Sequence, residues 1–330
     1  MARLQIPDGR AAFGRLNALP NVHVPPGACG PVRAFAACVR LVAEVNVDEN
    51  VIGVLHPGEM GAAVGGCLSQ CGLTVLWASA GRSPATAARA EAAGMSDVGT
   101  AGEMSGRAGV VLSVCPPHAA LDVARSVAGF RGIYVDANAV SPATAREVAQ
   151  VVEKGGAEYV DGGIIGAPPR SPGDSRLYLS GPRASEISDL FADTPLDAQV
   201  IGNEIGQASA VKMAYAAWTK GTAALLLAIR ALARAENVEQ ALIAEWQQSQ
   251  PALTARPHVA ARSAMEKGWR WVAEMEEIAA TMSAVGLPPG FHQAAATIYT
   301  RVPHATTPSP TNEPSLKTVI DALLADGSAD

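Results

Sequence analysis

Features typical of membrane, nucleic-acid-binding and exported proteins are missing from this chain of 330 residues. The longest apolar helical stretch, Ala223–Ala233, is interrupted by Arg230, which argues against a membrane span. The formal net charge is −6 and no basic run occurs, so nothing favours a nucleic-acid partner. No positively charged start precedes an apolar segment, and we therefore expect a cytoplasmic protein.

Cysteine is scarce, and its spacing does not fit a metal site. The five cysteines are odd in number, and no pair lies at metal-ligand spacing with a histidine or a second pair nearby. We therefore expect no bound metal. Cys67 and Cys71 are four residues apart on a predicted helix, and we expect both to be small core residues.

With 330 residues, of which 48% are hydrophobic, the chain can form a large apolar core and is long enough for two domains. Residues 1–49 contain five prolines and no continuous periodic pattern. They are expected to form a flexible N-terminal extension, unless the start codon was placed too far upstream. At the other end, residues 303–330 are expected to be a tail, with a short helix at Leu316–Ala325.

Between residues 50 and 205, short apolar runs alternate with alanine-rich helical stretches. Strands alternating with helices of this length predict βαβ units and a parallel sheet. The fold class expected is therefore α/β, a Rossmann-like doubly wound parallel sheet. The strands are predicted at Val51–Leu55, Leu73–Ala78, Val110–Val114, Ile133–Asp136, Glu158–Asp161, Leu177–Ser180 and Gln199–Ile201, and the helices at Ala62–Gln70, Pro84–Ala93, His118–Ala128 and Pro142–Lys154.

After Gly202 the strand signals stop, so an all-α C-terminal domain is expected over 206–302. Gly206–Glu236 is predicted as one long helix. A capping box at Asn237–Gln240 would open the next one. Further helices are expected at Arg256–Val285 and from Pro288 to about Tyr299.

The first strand leads into a turn that resembles a dinucleotide-binding fingerprint. The sequence His56-Pro57-Gly58-Glu59-Met60-Gly61 fits G-x-G-x-x-G except at its first position. Gly58 would let a phosphate approach, and Gly61 would let the helix pack on the strand. Pro57 would help to fix a turn in which His56 keeps a negative φ. His56 either donates to a phosphate or ribose, or is a turn residue at the solvent edge.

The end of the second strand indicates which nicotinamide cofactor fits. An acidic residue there would bind the ribose 2′-hydroxyl of NAD, but Trp77–Ser83 contains no Asp or Glu. Ser79, Arg82 and Ser83 are suitable donors to a 2′-phosphate. The stretch therefore predicts NADP, with a solvated loop arginine as the alternative interpretation of Arg82.

Five motifs in this order resemble the 6-phosphogluconate dehydrogenase-like and β-hydroxyacid dehydrogenase superfamily, over about residues 51–300. They are the Gly-x-Met-Gly turn at Gly58–Gly61, Val114-Cys-Pro-Pro117, Asp136-Ala-Asn-Ala-Val-Ser-Pro142, Tyr159-Val-Asp-Gly-Gly-Ile-Ile-Gly166 and Gly206-Gln-Ala-Ser-Ala-Val-Lys212. The long helix resembles a subgroup whose C-terminal domain has no assigned function. The resemblance implies a cofactor-binding domain at 50–205, a helical substrate and dimerisation domain at 206–302, and a homodimer.

The resemblance also implies roles for individual residues. Lys212 corresponds to the catalytic lysine, as general acid/base, while the family asparagine after it is replaced by Tyr215 and Ala216. Tyr215 either assists proton transfer or is an aromatic core residue. The loop with Cys115 and Pro116 would face the nicotinamide. The implied substrate-binding residues are Asn138, Ser141, Gly162 and Gly163, with Asn138 also a candidate for the cofactor ribose.

Each implied role competes with a structural one. Asn138 could form an Asx turn, and the two glycines could simply make a turn. Asp136 and Asp161 are expected to be caps at strand ends, and Lys220 to lie at the surface.

These residues predict an oxidoreductase that transfers a hydride between NADP(H) and a small hydroxyacid or alcohol, or its carbonyl form. A small-molecule substrate is the partner expected. An NADPH-dependent imine reductase and a non-catalytic NADP-binding protein are the alternatives. The substrate, the direction of reaction and the oligomer size do not follow from the sequence.

Overall fold

In a computed structural model, the described residues are 48–304 and 312–325. The expected flexible extension, 1–49, lies outside them apart from its last two residues. The strands are β1 (Asp48–Leu55), β2 (Thr74–Trp77), β3 (Ser96–Asp97), β4 (Ala108–Ser113), β5 (Ile133–Asp136), β6 (Glu158–Gly166), β7 (Ser175–Ser180) and β8 (Asp197–Gly202).

These strands form one sheet in the order β3-β2-β1-β4-β5-β6-β7-β8. All neighbours pair in parallel except β6 and β7, which the short connection 167–174 joins as an antiparallel hairpin. The chain turns from one half of the sheet to the other between β1 and β4, so a crevice opens there at the carboxyl ends of the strands. The predicted doubly wound α/β fold is confirmed, with one antiparallel pairing that the sequence did not predict: β7 and β8 run opposite to the other six strands.

Helices cover both faces of the sheet because alternate strand residues point to opposite sides. On β4, Val110 and Leu112 belong to one apolar core, whereas Val111 belongs to the other. The helices of this region are α1 (Glu59–Gln70), α2 (Pro84–Ala92), α3 (Ala101–Ser105), α4 (Ala120–Arg125), α5 (Pro142–Lys154) and α6 (Ala184–Asp189).

The chain then becomes helical, as predicted. The remaining helices are α7 (Gln207–Ala235), α8 (Glu239–Ser249), α9 (Arg256–Ala284), α10 (Gly290–Arg301) and α11 (Asn312–Ala325). Helix α7 contacts β6 and β7 at its start and packs against α9 farther on. Leu316, Val319 and Ile320 of α11 are buried in the helical core, so the predicted short helix packs on the domain rather than leaving it.

Two local predictions are wrong. The capping box at Asn237–Gln240 is absent, because Val238 precedes the first turn of α8 and no side chain caps it. Cys71 is exposed at the end of α1, while Cys67 is buried as expected. The four-residue spacing placed both on one helix face, but Cys71 is already the C-cap, beyond the packed turns of α1.

Candidate active site

The turn after β1 holds His56 in an unusual backbone conformation. Its φ is +64°, in the left-handed region where glycine is favoured, so the expected negative φ is wrong. The first glycine of the fingerprint, which His56 replaces here, adopts this conformation easily. Pro57 does not give His56 a negative φ. Burial and, to a smaller extent, the charge of the nearby Arg82 lower the pKa of His56 to about 4, so the ring is neutral at neutral pH.

The two glycines of the turn are needed for different reasons. A Cβ on Gly61 would lie 2.7 Å from the His56 carbonyl oxygen, so only glycine lets α1 start this close to β1. A Cβ on Gly58 would meet nothing within 4 Å. Gly58 is the N-cap of α1 and no side chain caps that helix, so its first amide groups face the crevice without a side-chain acceptor.

The loop after β2 contains the three residues predicted to bind a 2′-phosphate, Ser79, Arg82 and Ser83. Each makes different contacts. Arg82 is exposed and close enough to His56 and Cys115 to influence the pKa of both. Ser83 caps α2 by accepting a hydrogen bond from the Thr86 amide at 3.3 Å. The Ser79 amide donates to the carboxylate of Asp97, at the end of β3, at 3.2 Å.

Asp97 is therefore an acidic residue beside the loop, which the stretch Trp77–Ser83 did not reveal. The Gly99 amide, 2.8 Å from its carboxylate, is the main cause that lowers the pKa of Asp97, and the side-chain and amide hydrogen bonds with Ser79 add to it. The carboxylate is thus already held by two backbone donors. The signal for it was its place at the end of β3, a strand of only two residues.

The loop after β4 is tied to the loop after β5 by Asn138. The Asn138 Oδ1 accepts from the Cys115 amide at 2.5 Å, and its Nδ2 donates to Ser113 Oγ at 3.0 Å. Because Asn138 is buried and both ends of its amide group are hydrogen-bonded, its role in this structure is to hold the two loops together. Burial raises the pKa of Cys115 to about 12, so its thiol stays protonated beside Pro116, which is exposed.

Lys212 lies near the start of α7, against strand β6. Its Nζ donates to the Ile164 carbonyl at 2.7 Å and lies 3.9 Å from Glu274 Oε1 on α9. Burial lowers the pKa of Lys212, while Glu274 acts in the opposite direction and Lys220 lowers it again. A lysine in this setting can lose or bind a proton more readily than one in water.

Lys220 is not a surface residue, contrary to expectation. It forms an ion pair with Glu274 and lies over the Trp271 ring at 5.5 Å from the ring centroid. Lys220 lies on a different face of α7 from Lys212, but α9 runs alongside α7 and its Glu274 reaches both lysines. Glu274 thus connects two lysines of α7, and nothing in the local sequence of α7 could reveal this partner.

Gly162 and Gly163 form no turn, so that expectation is wrong. Both lie inside β6, and Cβ atoms on them would come within 2.9 Å of the Asp136 oxygen and 2.8 Å of the Ala208 oxygen, respectively. A Cβ on Gly163 would also lie 3.0 Å from the Cβ of Lys212. These glycines let α7 and β5 approach β6 and so fix the position of Lys212.

Tyr215 and Ser141, two other residues predicted to belong to the site, differ in their exposure to solvent. Tyr215 is 49% exposed, so it is not an aromatic core residue. Ser141 is buried and caps α5, accepting from the Thr144 amide at 3.1 Å. Its own amide donates to Glu277 of α9 at 2.6 Å, which links the sheet to the helical region.

Asp161 caps the long helix α7. Its carboxylate accepts from the Gly206 and Ser209 amides at 3.0 Å each, and from Ser209 Oγ at 2.6 Å and Ser180 Oγ at 3.1 Å. It lies inside β6 rather than at a strand end. A buried carboxylate at a helix N-terminus is stabilised by the helix dipole, so Asp161 anchors the helix that carries Lys212.

Comparison with known proteins agrees with this architecture. Conserved protein MTH1747, whose structure is described as revealing structural similarity with 3-hydroxyacid dehydrogenases, is 28% identical with a TM-score of 0.59. That similarity covers 76% of this chain and 96% of that protein. The chain matches the 6-phosphogluconate dehydrogenase-like superfamily, with a C-terminal helical domain.

Solved dehydrogenase structures share the fold at lower identity. The 3-hydroxyisobutyrate dehydrogenase of Mycobacterium tuberculosis, solved with L-serine, is 18% identical with a TM-score of 0.60, over 83% of this chain and 98% of that one. Residues 233–302 match the family model described as a domain of unknown function, DUF1932.

A curated relative matches a shorter region. An uncharacterized 28.5 kDa protein in the 7S RNA 5′ region of Methanothermus fervidus is 34% identical over 125 residues. The match covers 38% of this chain and about half of that protein, 47% of its length.

Within 48–304 and 312–325, no helix has the length and apolar character needed to cross a membrane. In the same part of the chain, no group of three or more His, Cys, Asp or Glu side chains could hold a metal ion.

Proposed function

We propose that the protein is an NADP-dependent oxidoreductase acting on a small hydroxyacid or alcohol, or on its carbonyl form, with Lys212 as the general acid/base. Two features of the structure carry the proposal. One is an uncapped glycine turn at the switch point of the sheet, and the other is a partly buried lysine near the start of α7.

The residues at the turn fit a dinucleotide. The open space at Gly58 and the uncapped amides of α1 suit a pyrophosphate. The guanidinium of Arg82 is exposed beside them and would pair with a 2′-phosphate, whereas Asp97 is already engaged by two amides. The loop at Cys115 and Pro116, together with Asn138, would flank the nicotinamide, which supplies or accepts the hydride.

Lys212 would act at the substrate oxygen. Its lowered pKa makes it easier for the Nζ group to give up a proton to a forming alkoxide, and the neutral amine could take one from an alcohol. Ile164 holds the amine in place, and Glu274 keeps the charge of Lys212 partly balanced. The region 50–205 would then bind cofactor and the region 206–302 would complete the substrate site, with Tyr215 at its exposed edge.

The cofactor is tested by titrating the purified chain with NADPH and with NADH while following nicotinamide fluorescence. NADPH should bind more tightly than NADH. Arg82→Ala should weaken NADPH binding by about 10- to 100-fold, the effect of one charge-assisted hydrogen bond, and leave NADH unchanged. Arg89→Ala on α2 is the matched control. Equal binding of both nucleotides by the wild type would contradict the NADP preference.

The reaction is tested with panels of hydroxyacids, carbonyl compounds and cyclic imines. Activity on the first two classes should be lost in Lys212→Ala while NADPH affinity stays the same. Turnover of imines alone would favour an imine reductase, and full activity of Lys212→Ala would overturn the assigned role.

A further inference from the structure

Three charged side chains meet between α7 and α9. Lys212 and Lys220 lie eight residues apart on α7, about 12 Å along the helix axis, so only a group on a neighbouring helix can reach both ammonium groups. Glu274 of α9 does so, because its Oε2 accepts from Lys220 and its Oε1 lies 3.9 Å from the Nζ of Lys212. The three side chains are 17%, 20% and 7% exposed, in the order Lys212, Lys220 and Glu274, so water compensates their charges only weakly.

The carboxylate of Glu274 is divided unequally between the two lysines. Lys220 has a direct hydrogen bond to it, and its ammonium group also lies over the Trp271 ring, 5.5 Å from the centroid. Lys212 donates to the Ile164 carbonyl at 2.7 Å, but its 3.9 Å separation from Glu274 is too long for a hydrogen bond. Among the described residues, Glu274 Oε1 has no hydrogen-bond partner. The charge of Lys212 is therefore compensated less well than that of Lys220.

One carboxylate cannot balance two buried ammonium groups, so the cluster has an excess positive charge while both lysines are protonated. Loss of a proton from Lys220 would break the charge-assisted hydrogen bond to Glu274. Loss of a proton from Lys212 breaks no such bond, and the neutral amine keeps two N–H groups, one of which can still donate to the Ile164 carbonyl. The geometry therefore favours Lys212 as the group that releases the proton.

Other titratable and charged side chains lie on the elements packed around this cluster. They are Tyr299 and His292 of α10, Asp161 of β6, Glu277 of α9 and Arg146 of α5. Burial and the charge of Glu274 raise the pKa of Tyr299, so its hydroxyl stays neutral. The other two carboxylates are held by backbone amides at the starts of α7 and α5. Burial lowers the pKa of Lys212, whereas Glu274 raises it and Lys220 lowers it again, in agreement with the contacts.

We propose that Lys220 and Glu274 are positioning residues for Lys212. By holding one oxygen of Glu274, Lys220 keeps the carboxylate out of hydrogen-bond reach of Lys212, which leaves the Lys212 proton available for transfer to a substrate. Glu274 lies within residues 233–302, so the domain of unknown function takes part in the chemistry. The inference rests on the proposed function, because only an acid/base lysine needs a proton that is easily released.

The experiment follows the titration of Lys212 by NMR in protein that carries carbon-13-labelled lysine, without cofactor or substrate. The chain has five lysines, and the Lys212 signal is identified by its loss in Lys212→Ala. In the wild type, the titration midpoint of Lys212 should lie below the ordinary lysine value of about 10.4. A midpoint at or above this value would overturn the proposal, and this measurement needs no variant of Lys220 or Glu274 to fold.

Two variants should move this midpoint in opposite directions. Lys220→Met releases Glu274 to pair with Lys212 and should raise the midpoint by about one pH unit, and Glu274→Gln should lower it by about as much. Lys220→Arg keeps a charge on Glu274 and should follow the wild type, as should Lys317→Met, which removes an exposed charge on α11. Shifts of the two variants in the same direction, or the same rise in Lys220→Arg as in Lys220→Met, would overturn the proposal.

The double variant Lys220→Met/Glu274→Gln tests whether Lys220 acts through Glu274. Once the carboxylate is removed, Lys220→Met should shift the midpoint much less than it does in the wild type. An equal shift in both backgrounds would mean direct repulsion between the lysines and would overturn the positioning role of Lys220. If the midpoints shift as expected but Lys212→Ala keeps full activity, the positioning of Lys212 stands and the proposed function fails.

Discussion

At the scale of single residues, substitutions of Gly58 and Gly61 should distinguish an effect on ligand binding from an effect on packing. Gly61→Ala should destabilise the fold by about 1–3 kcal/mol, because the new Cβ would press on the His56 carbonyl. Gly58→Ala should leave the midpoint of thermal unfolding nearly unchanged, because its φ of −69° suits alanine and the Cβ meets open space. The same Cβ should weaken NADPH binding more than tenfold, since it would occupy the place of a phosphate.

Thermal denaturation and the fluorescence titration, carried out on both variants, check this contrast. If Gly58→Ala bound NADPH as well as the wild type, the turn would not be the phosphate site.

Asp136 should also make stability depend on pH. Its pKa is about 7 in the folded chain and about 4 when unfolded, so the folded state keeps the proton longer. The free energy of unfolding should therefore decrease as pH rises from about 4 to 7, because the folded state binds more protons than the unfolded state. In Asp136→Asn this decrease should disappear.

Urea denaturation of both proteins at pH 5, 6, 7 and 8 measures the difference between them. Parallel curves would show that Asp136 ionises normally in the fold.

The residues of the site differ in how far the sequence could reveal them. The glycine turn and Lys212 follow from local motifs; in the structure the turn follows β1, and Lys212 lies near the start of α7 against β6. The φ of His56, the Asp97 carboxylate and the Lys212–Glu274 pair depend on which segments lie side by side. Glu274 is 62 positions after Lys212 in the chain and has no local motif, so only the packing of α7 on α9 reveals it.

At the scale of secondary structure, periodicity predicted the long elements and missed the short ones. Pro142–Lys154 was predicted with the bounds that α5 has, since Ser141 and Pro142 give a clear start signal. Strand β3 and helices α3 and α6 were missed, because both residues of β3 are exposed and each of the two helices is shorter than two turns. The antiparallel direction of β7 was missed because pairing direction depends on the hairpin at 167–174.

The start of α7 should depend strongly on Asp161. Asp161→Asn keeps the shape but removes the charge that accepts four hydrogen bonds, so we expect a loss of about 2–4 kcal/mol in the free energy of unfolding. Ser180→Ala removes only one of these partners and should lose about 1 kcal/mol.

Urea denaturation of the two variants at pH 7 provides the comparison. Equal losses would mean that the carboxylate is not the main anchor of α7.

At the scale of the whole molecule, α9 connects the two regions through charged side chains. Glu277 accepts from the Ser141 amide and from Thr144 Oγ1, at the start of α5. Glu274 forms ion pairs with Lys212 and Lys220 of α7, whose start Asp161 anchors to the sheet. The sheet region and the helical region are therefore held together at several points.

One apolar stripe on α7 is exposed in the part of the chain that the structure describes. Trp218, Leu225 and Leu232 follow each other at seven-residue spacing, which places them on one helix face, and they are 63%, 41% and 61% exposed. Exposed apolar residues arranged in this way are typical of protein interfaces. Together with the family resemblance, the stripe supports our proposal that two copies of the chain associate.

Sedimentation velocity tests this association. The wild type should sediment as a dimer, and the double variant Leu225→Asp/Leu232→Asp should sediment as a monomer, because two buried unpaired charges would oppose the contact. Val200→Asp, which places the same charge on β8 at a residue 40% exposed, should remain dimeric. A monomeric wild type would contradict the homodimer, and a dimeric double variant would move the interface away from α7.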